Sequence, residues 1–129
     1  MPHKQFTVEQ ANRTLPLVRR IVEDIVKHHA LWQEQVRLFE VASADLRADR
    51  PSAEAEGYER RAQALAEEIA GFIDELEALE VEFKGFDLGL VDFPGERDGH
   101  PVYYCWQLGE PSVRFWHDRD AGFAGRQPL

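Results

Sequence analysis

Little in this sequence points at chemistry. One cysteine, Cys105, stands among 129 residues, which excludes an intramolecular disulfide and an all-cysteine zinc site. No Lys/Arg run exceeds a pair, and 24 acids outweigh 15 bases for a formal charge of -9. A surface that acidic repels phosphate backbones and anionic lipid, so no nucleic-acid and no membrane partner is expected. No stretch approaches the roughly eighteen apolar residues of a membrane span, and MPHKQFTVEQ lacks the apolar core of a secretory leader. A cytoplasmic protein in a reducing compartment is therefore expected. Glu-x-x-His pairs on facing helices, which a di-iron centre would need, are missing. Asp87, Asp92, Glu96 and Asp98 are scattered among turn residues and match no calcium loop. No catalytic residue, cofactor or metal site is expected from these motifs.

What is present is helical period. Between Leu15 and Phe39 apolar residues fall at Leu15, Val18, Val22, Ile25, Trp32, Val36 and Phe39, in steps of three and four broken only by His29. That spacing puts one seam along a long amphipathic helix. A second row answers it: Tyr58, Ala62, Leu65, Ile69, Phe72, Leu76, Leu79 and Phe83. The two rows predict an antiparallel helical hairpin over about residues 14–83, with a connecting loop from Ala44 to Gly57. Thr7 and Gln10 form a capping box for a short N-terminal helix ending near Arg13. Thr14 then caps the long helix, with Pro16 in its first turn, where the missing N–H costs nothing.

After Phe83 the period changes. Glycines and prolines punctuate short aromatic and β-branched stretches, the pattern of a small antiparallel sheet over about residues 86–129. The expected strands are Leu88–Phe93, Val102–Leu108 and Val113–Asp118. Gly109-Glu110-Pro111-Ser112 as a four-residue hairpin loop would set Leu108 opposite Val113, Trp106 opposite Phe115 and Tyr104 opposite His117. One face then carries Tyr104, Trp106, Phe115 and His117 toward the helices, and Cys105 lies across from Trp116 as a small filler. Residues 119–129 read as irregular. The expected fold is thus α+β, a single domain over residues 1–129 whose 43% hydrophobic content suffices for a core.

The opening FTVEQANRTLPLVRRI and the closing YYCWQLGEPSVRFWHDRDAGFAGRQPL resemble the two ends of a small prokaryotic family known as a domain of unknown function (twenty-two oh three). The resemblance covers nearly the whole chain. It implies a short, stand-alone bacterial protein and brings no activity, cofactor or site residue with it.

The functional reading rests on the residues. Leu17, Ile21, Leu31, Leu38 and Ala42 widen the apolar arc of the first long helix beyond what one partner helix covers. A stripe of that size marks an interface, so the leading expectation is a non-catalytic assembly module that forms a homodimer through this helix. The rival is a small-molecule or metal-binding protein, or an enzyme, with its site at the C-terminal sheet and tail. Its candidate residues are His117, fixed in a strand, Asp118 to orient or charge it, and Arg126. Gly122 and Gly125 let Arg126 fold back, and its guanidinium suits a carboxylate or phosphate. The plainer reading of His117 is a strand-end residue bonded to Tyr104 or the backbone. The segment offers two ligands, and a metal needs three or four. His28 and His29 diverge by about 100° on a helix and cannot chelate one ion together. His28 pairs with Asp24 one turn earlier, and His29 is expected as a hydrogen-bonded seam residue that sets register.

Overall fold

The computed structural model describes residues 5–44 and 52–129. Its first element, α1 (Val8–Ala44), is a single helix of 37 residues, about 55 Å long at 1.5 Å per residue. The capping box forms as its sequence dictates: Thr7 N–H donates to Gln10 Oε1 (3.0 Å) and Gln10 N–H to Thr7 Oγ1 (3.1 Å). The separate short helix expected before Thr14 does not form. Thr14 Oγ1 instead donates to the Gln10 carbonyl at 2.9 Å inside the same helix, and Pro16 is carried in the helix interior. Ala11, Leu15, Val18 and Val22 are buried on both sides of that proline, so packing against the sheet holds the chain helical where local preference would end it.

Residues 45–51, half of the expected loop, lie outside the described residues, and the end of that loop from Ala53 to Gly57 is already helical. The second helix, α2 (Ala53–Ala78), starts at Ser52, whose hydroxyl accepts from Ala55 N–H at 3.0 Å. It runs antiparallel to α1: Gln35 receives Arg61, and His28 meets Glu68. It stops short of Phe83. Val81 N–H bonds back to Leu76 O and Glu80 N–H to Glu77 O, with Glu80 at φ +63°. This is a Schellman cap closed by the buried pair Leu76 and Val81.

Phe83 therefore belongs to a strand. The sheet is a five-stranded antiparallel meander: β1 (Glu82–Gly85), β2 (Leu90–Arg97), β3 (His100–Gln107), β4 (Phe115–Asp118) and β5 (Gln127–Pro128). Two of these strands, β1 and β5, were not foreseen, and the tail expected to be irregular supplies β5 and a 3-10 turn at Phe123–Gly125. β2 and β3 are joined by Asp98-Gly99, both at positive φ (+50° and +80°), the two-residue turn whose twist matches the flanking strands. Pro94 is tolerated because β1 pairs with β2 only as far as Asp92; beyond it β2 meets the N-terminal segment, where Phe6 N–H donates to Pro94 O at 2.7 Å.

The core lies between the first half of α1, the second half of α2 and the inner sheet face, which presents Val91, Phe93, Val102, Tyr104 and Trp106. Ile25 and Ile69 are both buried in it. Beyond them the hairpin runs past the sheet. There α2 contributes Ala55, Ala62 and Ala66 to the seam, and Trp32, Val36 and Phe39 line an open groove of about 190 Å³ rather than a filled core. Trp32 is half-buried, not enclosed.

Candidate functional site

The β3–β4 register differs from the expected hairpin by one residue. Tyr103 pairs with His117, Tyr104 with Trp116 and Cys105 with Phe115. The cause is local and tertiary together. Glu110 closes a wider turn over residues 108–114: its carboxylate receives Gln107 N–H (2.7 Å) and its carbonyl receives Trp106 Nε1–H (2.9 Å). Asn12 of α1 grips Val113, taking its N–H at 2.7 Å and donating to its carbonyl at 3.4 Å. Val113 is thereby removed from pairing with Leu108. A slip of one residue sends every side chain of the strand to the opposite face. His117 and Phe115 therefore lie on the outer face beside Tyr103 and Cys105, and Trp116 joins Tyr104 on the other.

On that outer face three strands bring three polar side chains together. Asp92 of β2 is directly across from Cys105 of β3, and His117 of β4 reaches back over the same spot. Their side-chain ligand atoms all lie within 4.8 Å of one another, and the residues are 3%, 0% and 2% exposed. His117 Nε2 stands 3.0 Å from Asp92 Oδ1, and its Nδ1 stands 2.7 Å from the backbone carbonyl of Asp118. The carbonyl can only accept, so Nδ1 carries a proton, and one further proton lies between Nε2 and the Asp92 carboxylate. Burial raises the Asp92 carboxyl above its ordinary value, with His117 pulling it partly back. Burial, reinforced by Asp92, pushes the Cys105 thiol up to about 12. A thiol held that firmly protonated is no nucleophile by itself.

A half-buried polar group flanks this cluster. Tyr103 sits beside His117 with ring centroids 5.5 Å apart, and Arg119 covers its ring at 4.2 Å. Burial first, and then Glu82, raises the Tyr103 phenol. Glu82 is the cross-strand neighbour of Asp92 on β1. Burial would raise Glu82, but hydrogen bonds from Lys84 and Tyr103 hold it below the usual carboxylate value.

The three residues singled out from the sequence do not share one pocket. His117 is in the buried cluster. Asp118 orients it through its backbone carbonyl, while the exposed side of Asp118 borders a shallow depression with His100, Pro101 and Arg119. Arg126 does fold back as its glycines allow, with Gly122 at φ +64°. It is spent on Glu110, donating to both carboxylate oxygens at 2.8 and 2.7 Å, and it stacks over Phe115 at 4.0 Å. That pairing, made through Nη2 alone, straps the tail to the β3–β4 turn, while Arg126 Nε is buried without a hydrogen-bond partner among the described residues.

The residue missed was Asp92. Read as one acid among turn residues, it is central in β2, between buried Val91 and Phe93. An acid flanked on both sides by large apolar residues was the available cue, because Asp is almost never fully buried without a partner. In the hairpin, His29 is positioned by stacking on Phe86 (4.3 Å) and Trp32 (5.7 Å) rather than as a hydrogen-bonded seam residue. His28 turns to the Asp24 backbone carbonyl and to Glu68 (2.9 Å), not to the Asp24 side chain.

No helix among the described residues is long and apolar enough to cross a membrane. No curated protein and no solved structure matches the chain. The family comparison does match, over residues 4–129, and covers both the hairpin and the sheet. The chain belongs to the family described as uncharacterized conserved protein (DUF2203).

Proposed function

We propose that the protein is a non-catalytic assembly module that pairs with a second copy of itself through the outward side of α1. One observation carries this reading. Leu17, Leu31 and Val41 are 48%, 46% and 58% exposed, and half-buried Leu38 lies one heptad beyond Leu31. At 100° per residue Leu31 and Leu38 fall opposite the buried Val18 and Val22, with Leu17 and Val41 at the two edges of that outward arc, while Ile21, expected on the same stripe, is instead buried in the core. Exposed apolar surface along a helix is what an interface covers. Charge favours a copy of the same chain as the occupant. Lys27 precedes Leu31 by four residues and Glu34 follows it by three. An antiparallel copy centred near Leu31 then sets each Lys27 against the other chain's Glu34. The pairing of Arg126 with Glu110, and the opening of the Asp118 side chain to a different depression, support the non-catalytic part of the reading. A cytoplasmic address and the lack of nucleic-acid or lipid partners go with it.

Sedimentation equilibrium at tens of micromolar tests the proposal. The wild type is expected at twice the chain mass, and Leu31→Glu at the chain mass with an unchanged helical spectrum, since Leu31 touches solvent. A monomeric wild type, or a dimer indifferent to Leu31→Glu, overturns it.

A further inference from the structure

We infer that Asp92, Cys105 and His117 form a binding site for a divalent transition-metal ion of the zinc type. The site is built on the outer sheet face, away from the α1 stripe, and stands or falls independently of self-association.

The donor set is the first argument. One thiol, one imidazole and one carboxylate suit a borderline cation. Calcium and magnesium ask for oxygen alone, and a sulfur donor is foreign to them. Geometry is the second. Each ligand comes from a different, adjacent strand, so the ladder fixes all three Cβ positions without help from a loop. Ligands about 2.0–2.3 Å from zinc stand roughly 3.3–3.8 Å apart at tetrahedral angles. The present group has Nε2 and Oδ1 at 3.0 Å and all three atoms within 4.8 Å. The set is thus at most about 1 Å wider than bonding separations ask. The second shell is already in place: His117 Nδ1–H donates to the Asp118 carbonyl. This fixes the tautomer and aims Nε2 at the centre, as ligating histidines require.

Charge is the third argument, and it selects the ion's valence. Without metal the group holds a thiol proton and the proton between His117 and Asp92, and is neutral overall. A divalent ion displaces both protons to solvent. Cys105 becomes thiolate, Asp92 carboxylate and His117 a neutral ligand, so the buried site is neutral again. A monovalent ion would leave one uncompensated negative charge in a fully enclosed place, and a trivalent ion one positive. The same exchange accounts for an acid, an imidazole and a thiol being gathered in the interior of a small domain whose core is otherwise apolar. Three protein ligands leave a fourth position for water or another donor.

The test uses the intact protein, stripped with chelator and titrated with Co²⁺. Cys105 is the single cysteine, so a thiolate-to-cobalt absorption band in the near ultraviolet can arise from this residue alone. The expected result is a band that saturates at one Co²⁺ per chain, is bleached by one equivalent of Zn²⁺, and is lost in Cys105→Ser. His117→Gln and Asp92→Asn, if folded, should each weaken Co²⁺ binding at least tenfold. Zn²⁺ should also raise the melting temperature of the wild type and not of Cys105→Ser. Absence of the thiolate band in the wild type overturns the inference whatever the variants do. So does a band that persists at full strength in both His117→Gln and Asp92→Asn.

Discussion

Asp92 and His117 make the case at the residue scale. They share one hydrogen bond out of reach of water, at 3.0 Å, and removing either leaves the other enclosed without its partner. Breaking such a pair costs about 3–5 kcal/mol, so metal-free Asp92→Ala should lose that much in urea unfolding. A loss under about 1 kcal/mol would mean the pair is not coupled. Gly95 illustrates a steric constraint instead. A Cβ there would collide with the Tyr104 ring and lie 2.8 Å from the Phe6 carbonyl, between a strand and the segment that crosses it. Gly95→Ala should therefore destabilise by about 1–3 kcal/mol through forced displacement of Tyr104, and thermal melts would read it. A neutral result would mean that the Phe6 segment yields.

Two contacts decide the architecture at the scale of elements. Asn12 is the pin between α1 and the β3–β4 turn: both polar groups of Val113 meet its amide. Asn12→Ala leaves a buried N–H unpaired, for about 1–3 kcal/mol. The Val113 amide should lose hydrogen-exchange protection first, ahead of β3. Pro16 tests the reverse logic. It sits in the interior of a continuous helix, where proline costs about 3 kcal/mol relative to alanine. Pro16 is exposed, so Pro16→Ala should stabilise, by less than that amount because proline also restricts the unfolded chain. A destabilised variant would show that the helix needs the distortion proline imposes there.

The whole molecule is uneven. Its core joins the sheet to the near halves of the helices, while the far hairpin exposes Leu31 and Val41 and leaves Trp32 at an open groove. Local opening follows burial. In the isolated chain, amides of residues 30–44 and 53–66 should exchange through partial openings, and those of 15–25, 91–93 and 102–106 only through global unfolding. Equal protection of both sets at high concentration would mean that the far hairpin is covered, as self-association requires. Trp32→Ala should accordingly cost well below the 3–5 kcal/mol of an enclosed tryptophan in dilute solution.

The sequence by itself determined the helical hairpin, the capping box at Thr7 and Gln10, and the passage from hairpin to antiparallel sheet, though not that Phe83 already belongs to the first strand. Each is written in local spacing: a 3.6-residue period, a reciprocal cap, or glycine and proline punctuation. Tertiary contacts decided the rest. Burial of the stretch around Pro16 merged two expected helices into one. The grip of Asn12 on Val113, a hundred residues away in sequence, shifted a strand by one residue and turned His117 to the opposite face. That turn, and not any motif, placed His117 beside Asp92 and Cys105, while Arg126 is tied to Glu110. Register is set by what a strand end is tied to, and those ties are long-range. A site assembled from three strands therefore leaves no spacing in the chain that announces it.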